Sequence, residues 1–257
     1  MALLRCEFFS DVLGQSTEAT VLLPQATTRQ IGMAGVAGGR AHPVLYLLHG
    51  RSDDHTMWTR RTSLERYVAE RDLAVVMPTG HRGFYTDQVT GYDDWTFLTV
   101  ELPAVMRGFF PLSHRREDTF AAGLSMGGYG ALKWALRRPL DLAAAASLSG
   151  KLDVLDADRS AGEWRATFGD EEHAVAAGDE LFALAAAADP AGSPALYQWC
   201  GTEDPLLGEN RRFAAHAREL GLPLVSEEGP GAHEWEAWDR MIQRVLDWLP
   251  LESATAR

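Results

Sequence analysis

The ten residues AAGLSMGGYG, Ala121 to Gly130, decide how the rest of the chain is read. They hold a Gly-x-Ser-x-Gly pentapeptide centred on Ser125, packed among small residues. In 257 residues with 24 glycines and 12 serines, about 0.1 such pentapeptide arises by accident. The surroundings therefore have to decide. Upstream lies a short apolar run, TFAAG (119–123), and downstream SMGGYGALKWALRRP (125–139) ends, as helices do, in arginines and a proline. Strand, sharp turn, helix is the setting that lifts a serine hydroxyl above a sheet as a nucleophile. Such a turn strains the serine backbone. Side chains at Gly123 or Gly127 would meet the neighbouring strand or helix, and Gly128 and Gly130 let the helix approach the sheet. The helix N-terminus also aims free amides at a developing oxyanion. The plainer reading of Ser125 is a helix cap, a position serine favours.

Outward from this point, the apolar runs PVLYLLHG (43–50) and LAVVMP (73–78) do not alternate, as expected of parallel strands buried on both faces. LRCEFFS (4–10) and TEATVLLP (17–24) flank a turn and read as an N-terminal β-hairpin. A glycine-rich loop (32–40) follows the hairpin. Helical patterns occupy 62–72 and part of Tyr92 to Phe110, the latter with Pro103 near a first turn. After the elbow come a strand at 143–150, a variable helical segment at 151–190, and a strand at 195–201. A helix at 209–221, a strand at 223–228 and a last helix from about Glu234 to Leu249 complete the pattern. Strands alternating with helices predict an α/β fold, a mostly parallel sheet with helices on both faces. No repeat or long linker divides residues 1–257, so one domain is expected, with 151–190 as a small cap or lid insertion.

Composition narrows the partners. The chain is 46% apolar and 23% charged, with a formal net charge of −12. A surface that negative repels phosphate backbones and anionic lipid, so neither nucleic-acid nor membrane binding is expected. No apolar run reaches membrane-spanning length. Cys6 and Cys200 stand far apart and form no C-x-x-C motif. With no export signal in MALLRCEFFSDVLG, they read as free thiols of a cytoplasmic protein.

A nucleophilic serine needs a histidine base, and the base an orienting carboxylate. In the order Ser…Asp/Glu…His, only His173, His216 and His233 follow Ser125. His173 belongs to the insertion, and His216 sits mid-helix beside Phe213, where a packing role fits. His233, in the glycine-rich loop GPGAHEW (229–235), can be delivered over the serine. For the acid, Asp204 in CGTEDPLLGEN (200–210) lies at the carboxyl end of a strand, the usual address of catalytic groups. Its neighbour Glu203 competes for the role, Asp189 less so, and an Asp before Pro205 also suits an ordinary turn. The loop HGRSDDHTMW (49–58) should supply the second oxyanion donor, making the amides of Arg51 and Met126 the best pair. His49 reads as a residue that shapes this loop. Asp53, Asp54 and His55 are adjacent and cannot all face one metal ion in most backbones.

Six blocks then carry a family resemblance: LYLLHGRSDDHTMWTRRTSLERY (45–67), GFYTD (83–87), WTFLTVELP (95–103), GLSMGGYGALKWAL (123–136), GTEDPLLGEN (201–210) and GAHEWEAWD (231–239). Together and in order they resemble the esterase D family of α/β-hydrolases. That family includes tributyrin-type esterases, S-formylglutathione hydrolases and, more distantly, mycolyltransferases. The likeness is strongest over 43–139 and 195–240 and weak across the insertion. It implies Ser125 as nucleophile, Asp204 as acid, His233 as base, the Arg51 and Met126 amides as oxyanion hole, and neither a metal nor a cofactor. The wording of 49–58 and 231–239 sits closer to the short-chain acyl esterases, and no glutathione-recognising region is matched.

The expected activity is hydrolysis of small acyl esters through an acyl-enzyme. Trp58, Tyr85, Tyr92 and Trp164 are the candidate pocket walls, because loops after strands and the insertion face the serine. Trp235 is assigned to packing of the last helix. Thioester hydrolysis or acyl transfer to another acceptor shares the same chemistry; a catalytically silent binding protein would fit an incomplete triad. A homo-oligomer is left open.

Overall fold

The structure is a computed structural model, and it describes residues 1–32, 34–38, 41–157 and 161–251. Residues 33, 39 and 40 of the glycine-rich loop and 158–160 of the expected cap lie outside the described residues. In chain order the elements are β1 (Ala2–Ser10), β2 (Gln15–Leu23), β3 (Val44–Leu48), α1 (Met57–Arg61), α2 (Leu64–Val68), β4 (Ala74–Pro78), α3 (Asp94–Thr96) and α4 (Leu102–Phe109). There follow β5 (Thr119–Leu124), α5 (Met126–Arg137), β6 (Ala144–Leu148), α6 (Gly162–Phe168), α7 (Glu171–Ala176) and α8 (Leu181–Ala187). Last come β7 (Ala195–Gly201), α9 (Leu207–Glu219), β8 (Leu224–Gly229) and α10 (Trp235–Trp248).

The eight strands form one open sheet in the order β1-β2-β4-β3-β5-β6-β7-β8. β2 pairs antiparallel with both β1 and β4, and every other pairing is parallel. This is the α/β-hydrolase arrangement, with the N-terminal hairpin at one edge. β3, β4, β5 and β6 are buried along their whole length. Their alternate residues feed two cores, one on each face. Val44, Tyr46 and Leu48 join Met106, Trp134 and Phe213 on one side, while Leu45 and Leu47 join Trp58, Val68, Ile242 and Val245 on the other. The expected cap holds the three short helices α6 to α8.

One helix carries a feature that the sequence does not announce. Pro103 sits in the first turn of α4, as expected, but helical backbone already begins at Asp94. Phe97–Glu101 is π-helical, and the Leu102 amide bonds to the Phe97 carbonyl. Proline removes an amide and crowds the preceding turn. The wider π segment opens that turn, and α4 restarts with proline in its first turn.

Candidate active site

Ser125 stands between β5 and α5 with φ 53° and ψ −117°, a conformation that non-glycine residues rarely adopt. Backbone bonds hold it there. Its amide donates to the Leu148 carbonyl (2.9 Å), and its own carbonyl accepts from the amides of Tyr129 and Lys151 (both 3.1 Å). The glycines are required by close approach. A Cβ on Gly123 would run into the Gly127 backbone, and one on Gly127 would stand 2.5 Å from the Leu48 carbonyl oxygen.

The last two parallel strands deliver the partners. His233 Nε2 lies 3.1 Å from Ser125 Oγ, and His233 Nδ1 lies 2.9 Å from Asp204 Oδ2. Asp204 is buried. Its other oxygen, Oδ1, accepts the Leu206 amide at 2.8 Å, so the turn role and the histidine contact use different atoms of one carboxylate. Burial pushes the Asp204 carboxyl up, but bonds from His233, the Leu206 amide and the Ser149 hydroxyl outweigh it and hold the group below the usual carboxylate range. Glu203 faces the other way. Its Oε2 accepts the Gly231 amide at 2.7 Å, and the Glu203 amide donates back to the Gly231 carbonyl at 3.1 Å. Glu203 thus straps the His233 loop to the Asp204 loop, and a Cβ on Gly201 would collide with Gly231. Asp189 accepts the Ala191 amide in a turn before β7, and His216 of α9 packs against Phe182 of α8.

Two further residues of the site carry no mark in the sequence motifs. Ser149, at the carboxyl end of β6 with φ 49°, places its hydroxyl between Asp204 and the Trp238 indole, whose Nε1 donates to it at 3.1 Å. Trp238 meets the His233 ring edge to face at 4.9 Å and belongs to a cluster with Trp235 and Trp58. Ser149 could have been suspected from its place at a strand's carboxyl end, beside the nucleophile strand. Nothing in the local sequence singles out Trp238.

A cavity of about 420 Å³ opens onto Ser125 and His233. Arg51 and Met126, the residues expected to supply oxyanion amides, both line it. Phe84, Trp164, Phe168 and Leu206 form apolar wall, with Arg82, Lys151 and Glu163 among the polar lining. Of the four expected wall residues, the structure puts only Trp164 there. Trp58 is buried in the core, its Nε1 donating to the Leu48 carbonyl at 3.0 Å. Tyr85 is buried behind the loop, its hydroxyl donating to the His49 carbonyl at 3.0 Å. Tyr92 stacks on His81 at 4.6 Å and borders a separate depression. Trp58 lies in α1 and Tyr85 and Tyr92 in loops, and in each the side-chain direction follows packing rather than position along the chain. Phe84 and Phe168 do line the cavity, and Phe84 does so from a strained backbone with φ 54°.

The rim is cross-linked. Glu163 on α6 pairs with Arg51 and, at 3.1 Å, with Arg82, so the cap is tied to the loop after β3 and to the loop after β4. Deeper down, Lys133 on α5 is fully buried. It donates to Asp179 Oδ1 (2.6 Å), Thr86 Oγ1 (2.8 Å) and the Tyr85 carbonyl (2.9 Å). His49 accepts the Gly80 amide on Nε2 (2.8 Å) and bonds the Gly50 carbonyl through Nδ1 (2.6 Å); burial brings its pKa down to about 4. It is a neutral brace of the Arg51 loop. His55 is taken up by Thr20 and Glu18, and Asp54 by Thr56. Among the described residues, no group of three or more His, Cys, Asp or Glu side chains is placed to hold a metal ion, and no helix is long and apolar enough to cross a membrane.

Comparison with known proteins gives the family. A family model described as "Putative esterase" matches residues 10–249. The chain is similar to an acetyl esterase of Caldicellulosiruptor saccharolyticus, with 28% identity over 97% of this chain and 98% of the relative. It is similar to the fluorophosphonate-binding serine hydrolase FphF of Staphylococcus aureus, with 30% identity, a TM-score of 0.84 and coverage of 96% and 98%. The S-formylglutathione hydrolase FrmB of Staphylococcus aureus gives 30% identity and a TM-score of 0.83 at the same coverage. The chain belongs to this esterase family and is a serine esterase of the α/β-hydrolase fold.

Proposed function

We propose that the protein hydrolyses esters of short carboxylic acids through an acyl-enzyme on Ser125. The observation that carries this reading is the relay Ser125 Oγ–His233 Nε2–His233 Nδ1–Asp204 Oδ2, with contacts of 3.1 and 2.9 Å at one end of a cavity. In the first half-reaction Ser125 Oγ attacks the ester carbonyl carbon while His233 Nε2 takes the hydroxyl proton. The carbonyl oxygen becomes an oxyanion held by the amides of Arg51 and Met126; both residues line the cavity, and Met126 opens α5, where amides are unspent. Collapse breaks the bond to the alcohol, which leaves with the proton from His233. In the second half, water gives a proton to His233, attacks the acyl carbon and releases the carboxylic acid, and Ser125 regains its proton. Asp204 stays ionised throughout, fixing the imidazole tautomer with Nδ1–H toward itself. Ser149 and Trp238 keep that carboxylate oriented.

The short-acyl preference rests on the modest cavity and its aromatic wall of Phe84, Trp164 and Phe168, together with likeness to a protein called an acetyl esterase. Residues 151–190 act as the cap of this cavity. The two cysteines are free and lie on β1 and β7, far apart in the sheet, which suits a reducing cytoplasm. The test is treatment with a serine-reactive phosphonate, mapping of the adduct, and hydrolysis of p-nitrophenyl acetate. Labelling at Ser125 and loss of both reactions in Ser125→Ala are expected. An adduct elsewhere, or unchanged hydrolysis in the variant, overturns the assignment. A paired oxygen and sulfur ester assay measures ester against thioester preference.

A further inference from the structure

A second cavity, of about 620 Å³, lies at the opposite end of strand β5 from Ser125. It is bordered by Thr119, the first residue of β5, by Thr99 to Gly108 of the π segment and α4, and by Trp134 and Arg138 at the far end of α5. Its charges run against those of the chain. In a protein of net charge −12, this cleft gathers Arg107, Arg116, Arg138 and His114 against one carboxylate, Asp141. Asp141 is already engaged, accepting from Arg138 Nε at 2.5 Å and from Trp134 Nε1 at 3.1 Å. Arg107 donates only to neutral oxygens, the Ser113 carbonyl (3.1 Å) and Thr119 Oγ1 (3.4 Å). Arg116 likewise donates to the carbonyls of Pro139 (3.0 Å) and Gly192 (3.5 Å). Among the described residues neither guanidinium forms an ion pair. Stapling carbonyls is the structural role of these arginines, but it uses only part of each five-donor fork.

Two further observations give the cleft a direction. The Tyr46 hydroxyl is buried without a hydrogen-bond partner among the described residues. Its ring packs 5.2 Å from Trp134, a lining residue of the cleft, and the hydroxyl lies within reach of the Arg107 charge. On the outer side, Val100 and Leu140 are exposed apolar residues of the same lining.

We propose that this cleft is a second binding site, for a small organic oxyanion whose charged head meets Arg107 and Arg116 and whose apolar body lies on Val100 and Leu140. Phosphate monoesters and carboxylates share this chemistry, so the test carries both. The intact enzyme is titrated calorimetrically with phenyl phosphate, benzoate and inorganic phosphate. Saturable binding of phenyl phosphate or benzoate is expected, and whichever binds more tightly names the head group. Binding should weaken at least tenfold in Arg107→Gln/Arg116→Gln and in the milder Arg116→Gln alone. It should be unchanged in Ser125→Ala, and p-nitrophenyl acetate hydrolysis should persist in the arginine variants, showing them folded. Leu140→Ser should weaken the aryl ligands and leave inorganic phosphate as it was. Absence of saturable binding by both aryl ligands, equal binding by the arginine variants, or inorganic phosphate binding as tightly as phenyl phosphate each overturns the proposal.

Discussion

Two regions meet over the cavity at Ser125, and they are held together by different means. The elbow, from Gly123 to Gly128, is fixed by backbone against backbone: the Gly127 Cα faces the Leu48 carbonyl, and three main-chain bonds hold Ser125. The cap is fixed by side chains chosen one at a time, the Glu163 pairs at the rim and the Lys133–Asp179 bridge beneath. A backbone contact admits a single residue type, so it leaves a readable motif. A side-chain bridge can be built from many pairs at many spacings and leaves none.

This contrast can be tested from its largest consequence downward. Asp204→Asn should cut kcat by roughly 10⁴, about 5.5 kcal/mol, because the imidazole loses the partner that sets its tautomer. Glu203→Gln, which disturbs only the strap between loops, should cost less than about tenfold. Steady-state kinetics on p-nitrophenyl acetate checks both, and the reverse ranking would make Glu203 the acid. The same pair predicts a pH effect. The Asp204 carboxyl is held below its unfolded value, so its contribution to stability is complete above about pH 4. That contribution is lost as pH falls through the lower folded value. The Tm difference between wild type and Asp204→Asn should therefore shrink on acidification.

Next in size is the buried bridge. Lys133→Met leaves the buried Asp179 to the more distant cation of Arg137, at 3.8 Å, and should destabilise by roughly 3–5 kcal/mol in urea unfolding, with part recovered on adding Asp179→Asn. Gly127→Ala should cost about 1–3 kcal/mol as the added methyl meets the Leu48 carbonyl, and kcat should fall with it because Ser125 moves. A silent Gly127→Ala would mean that the elbow is not backbone-limited. The smallest effect belongs to the rim. Glu163→Gln should change stability by no more than about 1 kcal/mol, and the difference should fade in high salt, since all three partners are largely solvated.

These differences explain how much was legible beforehand. The parallel sheet, the elbow and the order Ser125, Asp204, His233 could be read because buried strands, glycine turns and strand ends constrain residue type. Glu203 and Asp204 could not be separated by residue spacing alone, because one step along a loop reverses which side chain turns inward. Trp58, Tyr85 and Tyr92 lie in segments that follow strands β3 and β4, yet two of them serve the core and one a different depression. The π segment before Pro103 was illegible too, since it answers to a crowded turn rather than to any residue pattern.

The edge-to-face contact between Trp238 and His233 has one more consequence. An indole whose neighbour gains a proton changes its emission, since imidazolium quenches excited tryptophan more strongly than imidazole. The edge-to-face indole cluster Trp58–Trp235–Trp238 leads from the core to the base. The enzyme thus carries an optical reporter beside its own histidine, and stopped-flow fluorescence can follow the proton through each half of the turnover without any added label.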